Sequence, residues 1–158
     1  QRDPDLGAGL GVGGPPRMTD LTFDTETLGY IRLFEERTGA RVKDCFESEG
    51  KLVYLVEPGE IPKAVGPGGV LVDRLKGLMK KEIQVVEYSS EPTQLVLNTF
   101  YLYHPLGVRL EPKGRGQHAT VSVDPAWKAR AIGTSGKNLK IARSILLRHT
   151  DIVSVSVA

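Results

Sequence analysis

Apolar positions along this chain recur with two periods, helical and alternating, and the order in which these periods follow one another occurs twice. From Phe23 to Thr38, Leu28, Ile31, Leu33 and Phe34 fall at helical spacing, with Asp24 able to cap the start and Gly39 able to end the segment. RVKDCF (41–46) and KLVYLV (51–56) are short runs rich in β-branched and aromatic residues, and Glu47 to Gly50 between them predicts a hairpin. IPKAVGPGGVLVDRLKGLMKK then reads as a helical turn, a glycine-rich break and a second helix, and IQVVEY as a strand.

The second half repeats the order. Helical spacing from Thr93 to Tyr103 ends at His104-Pro105, because the residue before a proline avoids the helical region. GVRLEP and HATVSV predict a second hairpin across Lys113 to Gln117. PAWKARAIGTSGKNLKIARSILLRH supplies helix, break and helix, and IVSVSV the closing strand. The expected fold is therefore α+β, with two tandem units of order α-β-β-α-α-β, each a three-stranded sheet covered by helices on one face. We place them at residues 20–90 and 91–158. The short junction at Ser89 to Pro92 favours packing as one body. Residues 1–19, rich in Gly and Pro and poor in large apolar side chains, read as a disordered leader. The literal GxGxxG at Gly9, Gly11 and Gly14 has no strand before it and meets Pro15-Pro16 where a helix would open.

Charge matters through its distribution. The chain carries a formal +2, but residues 20–90 hold 10 basic and 13 acidic side chains and residues 91–158 hold 9 and 4, net −3 and +5. The second unit should therefore dominate attraction to a polyanion. Cys45 stands alone, so no intramolecular disulfide forms, and no apolar run approaches the ~20 residues that span a bilayer. Together with the lack of a secretory pattern, this makes a cytoplasmic location and no membrane association the expectation.

The two glycine breaks, Gly66-Pro67-Gly68-Gly69 and Gly133-Thr134-Ser135-Gly136, occupy the same slot in each unit. Taken singly, each reads as a plain turn between helices. Repeated, a Gly-x-x-Gly turn reads better as a clamp. It lets a phosphodiester approach the main chain, and the helix that follows offers unpaired N–H groups and the positive end of its dipole. Candidate cations are Lys63 and Arg74 in the first unit and Lys128, Arg130, Lys137, Lys140 and Arg143 in the second, each of which also reads as a solvated surface residue. Ile132, Leu139, Val121 and Val123 are candidates for an apolar floor under unstacked bases. A P-loop is excluded, since Ala131 stands where its first glycine would be and Asn138 follows Lys137.

No catalytic constellation, metal site or cofactor site is expected. His104, His118 and His149 are scattered, and Cys45 reads as a small buried residue. Trp127 could stack a base but reads better as packing under the second loop, and Tyr101 and Tyr103 as core or interdomain contacts.

The order of elements, with Val65-Gly66-Pro67-Gly68-Gly69 and Ile132-Gly133-Thr134-Ser135-Gly136, resembles paired type II KH domains. FDTETLGYIRLFEERTGARVKDC followed by AVGPGG and AIGTSGKNL is similar to the archaeal NusA family, and the resemblance covers nearly everything after Met18. It implies a non-enzymatic factor in transcription elongation, termination or antitermination that clamps about four nucleotides of single-stranded RNA per GXXG loop. RNA polymerase is a partner it implies, and a monomer is the expected state. The loops depart from many relatives in lacking a basic residue at Pro67, Gly68, Thr134 or Ser135, and proline removes one N–H donor. Two alternatives stand beside this reading: an RNA-processing or ribosome-associated KH protein, and a KH-fold scaffold for protein contacts.

Overall fold

A computed structural model describes residues 23–158; the leader assigned to residues 1–19 lies outside them. Asp24 caps the first helix as expected, accepting the Thr27 N–H at 2.8 Å, and Gly39 ends it in the left-handed conformation (φ 76°). This helix, α1, spans Thr25–Thr38. Strands β1 (Val42–Ser48) and β2 (Lys51–Val56) pair antiparallel across Glu49-Gly50, both at positive φ, the geometry of a tight two-residue hairpin. Helices α2 (Ile61–Val65) and α3 (Val70–Met79) lead to β3 (Glu82–Glu87), which joins β2 in parallel.

The second half has α4 (Pro92–Thr99), β4 (Pro105–Lys113), β5 (Gly116–Val123), α5 (Pro125–Ile132), α6 (Lys137–His149) and β6 (Ile152–Val157). Its sheet, β4-β5-β6, repeats the antiparallel and parallel pairings of β1-β2-β3. Two of its boundaries differ from the sequence expectation. The helix predicted from Thr93 to Tyr103 stops at Thr99, because Phe100 turns into the core at φ −100° and Tyr101–Tyr103 forms only a 3-10 turn. The second hairpin is tighter than Lys113 to Gln117, its strands running on to Lys113 and Gly116. Pro105 and Pro112 are tolerated there because β4 is an edge strand, where missing N–H donors cost little.

The halves share a core. On β2, Leu52, Tyr54 and Val56 face α1, α2 and α3 with Phe34, Ala64 and Leu75, while Val53 and Leu55 point the other way. That opposite face, extended by Val86 and Tyr88, packs on Leu95 and Val96 of α4, on Phe100 just after it, and on Ile141, Ala142, Ile145 and Leu146 of α6. The first sheet is thus buried on both faces, and five successive buried residues on β2 record it. The second sheet buries alternate residues of β5, Ala119, Val121 and Val123, against the helices.

A charged group lies inside this shared layer. Asp44 of β1 is fully buried, and its carboxylate accepts Arg148 Nε and Nη2 at 2.7 Å each and the Cys45 N–H at 2.8 Å, with His149 Nε2 2.7 Å away. Arg148 also lies over the Phe46 ring, 4.6 Å from its centroid, and Ser48 and Ser144 hydroxyls meet at 3.2 Å. Burial would push the Asp44 carboxyl up, but the bonds from His149 and Arg148 outweigh it and hold the group below its ordinary value. Beside it, burial pushes the Cys45 thiol up to about 12, which suits the structural role expected of it. His149, read in the sequence as one of three scattered histidines, is instead a buried partner of Asp44.

Candidate nucleic-acid interface

The two glycine turns have the same backbone. Gly66 and Gly133 sit at φ/ψ of 77°/170° and 82°/163°, Gly68 and Ser135 at 62°/18° and 56°/28°, and Gly69 and Gly136 at 78°/14° and 73°/19°. In each, the N–H of the fourth residue donates to the carbonyl of the first, Gly69 to Gly66 at 3.1 Å and Gly136 to Gly133 at 3.0 Å. Gly66 and Gly133 occupy a region of backbone space that is essentially closed to residues with a Cβ.

Space enforces the same choice. A Cβ on Gly133 would lie 2.8 Å from the backbone nitrogen of Asn138, in the first turn of α6, whereas one on Gly66 would lie 2.7 Å from Leu71 Cγ, a side-chain rather than a backbone atom. We expect Gly133→Ala and Gly66→Ala each to destabilise the protein by about 1–3 kcal/mol, with Gly133→Ala the more costly because its Cβ meets backbone. Chemical unfolding of the two variants side by side checks the order; equal losses would contradict it.

Each turn opens a helix whose start lacks a side-chain cap, Gly69 preceding α3 and Gly136 preceding α6. The first helical N–H of each, Val70 and Lys137, donates back into the turn to the carbonyls of Pro67 and Thr134, and the positive dipole end of each helix lies at the turn, an arrangement suited to an anion. Thr134 and Ser135 bring two further N–H groups to the second turn, while Pro67 leaves the first with only that of Gly68 at those positions.

The cations divide between the loops unequally. Lys137 and Lys140 are exposed on the first turns of α6, and Lys128 and Arg130 on α5 just before the turn. Arg143 is also exposed, but its Nε donates to the Val153 carbonyl at 2.9 Å, which ties it to β6 rather than to the turn. In the first half Arg74 is exposed on α3, whereas Lys63 lies 3.4 Å from Glu60. The Glu60 carboxylate also accepts the Arg41 N–H at 3.0 Å, and this bond, with Lys63 adding to it against a smaller effect of burial, holds its pKa down. Lys63 is thus partly neutralised, and the second turn is the more electropositive of the two.

Of the expected apolar floor, Ile132 and Leu139 remain partly exposed. Val121 and Val123 do not qualify: they sit on the inner face of β5, inside the core. Trp127 packs partly against that core and lies edge-on to His104, with ring centroids 4.5 Å apart. Tyr103 is half-buried, but Tyr101 is exposed, against the expectation of a core contact, because the 3-10 turn swings it out. The residue the sequence reading missed is Asn138. Its Nδ2 donates to the Arg130 carbonyl and to Tyr103 Oη, both at 2.7 Å, and so fastens the end of α5 to the start of α6. The sequence signal was a polar residue in the slot that Leu71 fills in the first half.

Among the described residues no cluster of His, Cys, Asp and Glu could hold a metal, and no helix is long and apolar enough to cross a membrane.

Two like halves, each with a mixed three-stranded sheet and a glycine turn between helices, make this an α+β protein consistent with a KH-like fold. The crystal structure of APE1850 is similar to it with a TM-score of 0.73 and 32% identity, over 86% of this chain and all of that one. No family model matches the chain. A probable transcription termination protein NusA of Methanococcus vannielii is 31% identical over 137 residues, 87% of this chain and 79% of the relative. Another, from Halobacterium salinarum, is 30% identical over 134 residues, 84% and 94% of the two chains. The chain belongs to the archaeal NusA-like family.

Proposed function

We propose that this protein acts in transcription, in termination or antitermination, by binding single-stranded nascent RNA through two GxxG clamps carried by tandem type II KH domains at residues 20–90 and 91–158. The observation that carries this reading is the shared backbone of the two turns, matched dihedral by dihedral although their central residues differ. The turns keep one strained conformation twice, once with Pro67-Gly68 and once with Thr134-Ser135, and in both the main chain stands exposed at the mouth of a helix, where a phosphate can contact it. The names of the relatives point the same way, since they are probable transcription termination proteins. In this reading the protein is a cytoplasmic monomer without catalytic activity, and RNA polymerase is its partner in the complex.

The two clamps divide the work. The second, with Lys128, Arg130, Lys137 and Lys140 exposed about it, supplies most of the attraction to phosphate, and the first adds backbone contacts and register.

Titrating a single-stranded RNA oligonucleotide at increasing salt tests this. The logarithm of affinity should fall linearly with the logarithm of salt concentration, with a slope of roughly −0.7 per phosphate neutralised. Lys137→Gln with Lys140→Gln should make the slope shallower by about 1 to 1.5, while Arg74→Gln should change it less. An affinity indifferent to salt would argue for the protein-scaffold alternative.

A further inference from the structure

The geometry points to a second RNA-contacting surface beside the second clamp: an aromatic and apolar shelf that stacks nucleotides lying outside the four that the turn holds. It rests on the clamp reading and extends it. The shelf starts at Arg130, whose guanidinium lies 5.0 Å from the Trp127 ring centroid, and continues through Trp127 to His104. On either side of His104 in the chain are Tyr101, Leu102 and Leu106, which are 74%, 69% and 73% exposed. Large apolar side chains so exposed, grouped within six residues of chain, mark a surface that meets something.

Position ties the shelf to the clamp. Tyr103, in the same 3-10 turn as Tyr101 and Leu102, accepts a hydrogen bond at 2.7 Å from Asn138, the residue that also fastens α5 to α6 behind Gly133. An RNA strand leaving the turn along α5 therefore passes directly onto it. The backbone is consistent with a built surface rather than a loose loop. His104 holds a left-handed conformation, φ 53°, that costs a residue with a Cβ, and it sets the imidazole edge-on to Trp127.

Charge selects the occupant. Lys128 and Arg130 are exposed on α5, and the second half carries net +5, so the shelf sits in positive potential. Aromatic faces with a neighbouring guanidinium are what single-stranded nucleic acid uses for sequence-tolerant stacking, each base contributing through its π-face. Double-stranded RNA offers no exposed base faces of that kind. The occupant is single-stranded RNA flanking the clamped segment.

Trp127 is the chain's one tryptophan, so the test has an internal probe. RNA oligonucleotides of about four and about ten nucleotides are titrated into the protein, following anisotropy of a labelled RNA and, with unlabelled RNA, tryptophan fluorescence. The longer RNA should quench Trp127 and the shorter should not. Tyr101→Ser with Leu102→Ser, both exposed and tolerable to the fold, should weaken the longer RNA by about tenfold or more and the shorter by less than about twofold. Wild-type affinity of that variant for the longer RNA would overturn the shelf and leave the patch as a protein-contact surface. The clamp has its own control in Thr134→Asp with Ser135→Asp. Undiminished binding there would sink the clamp and the shelf with it, whereas loss there beside no effect at Tyr101 and Leu102 would sink the shelf alone.

Discussion

Asp44→Ala should cost about 3 kcal/mol of folding free energy, more than any surface substitution in this chain, and should lower the midpoint of chemical unfolding accordingly. The carboxylate is fully buried and bonded to Arg148, His149 and the Cys45 N–H. Removing it strands the His149 side chain, which is 0% exposed and whose Nδ1 has no partner among the described residues. Arg148, 32% exposed, can turn partly to water, and this keeps the expected loss at the lower end of the range for broken buried pairs. The exposed pair Lys81 to Glu47, at 3.3 Å, is the natural control: removing it should cost no more than about 1 kcal/mol. Asp44→Asn should fall between the two, since it keeps shape and loses charge. The pH dependence follows from the sign. Asp44's folded pKa lies below its unfolded value, so its contribution is complete above the ordinary carboxylate range of about 4 and disappears as pH falls through the folded value. The stability gap between wild type and Asp44→Ala should therefore narrow in strong acid. A gap that stayed unchanged at low pH would mean that the charge of Asp44 is not what the core requires.

This bond was not legible in the sequence, and the reason is physical. Asp44 alternates correctly with Phe46 on β1, but alternation identifies a face without saying what covers it. Arg148 lies 104 residues further on. Counted as charges, the pair contributed to an acidic first half and a basic second half; in space they neutralise one another. The same limit hid the burial of Val53 and Leu55 under α4 and α6, since KLVYLV fits a strand covered on one face or on both. Features with local causes were legible. Asp24 caps α1, Gly39 ends it, and the repeated order of helices and strands holds in both halves. The glycine turns were legible for the same reason, because Gly66 and Gly133 answer to their own backbone angles. Where the local signal was ambiguous the boundaries moved: Thr93 to Tyr103 keeps helical spacing throughout, yet Phe100 is worth more in the core than in another turn of helix. Asn138 was invisible as a fastener because its partners, Arg130 and Tyr103, come together only when α5 and α6 pack.

The second large effect concerns the clamp itself. Thr134 and Ser135 are exposed, between Gly133 and Gly136, where the proposed phosphate meets main-chain N–H groups and the start of α6. Two aspartates there place like charge against phosphate. They also favour the positive dipole end of α6, so folding should be preserved and slightly helped, apart from a small strain at position 135, which holds φ 56° and where Asp is better tolerated than most side chains. The loss should then appear in RNA affinity and not in stability. The most direct measurement is an equilibrium titration of a single-stranded RNA oligonucleotide of about ten nucleotides against wild type and against Thr134→Asp with Ser135→Asp, with the unfolding midpoint of each protein recorded in parallel. The expected result is affinity lower by about a hundredfold, or roughly 2.8 kcal/mol, at an unfolding midpoint essentially unchanged. Wild-type affinity in a folded variant would contradict the clamp.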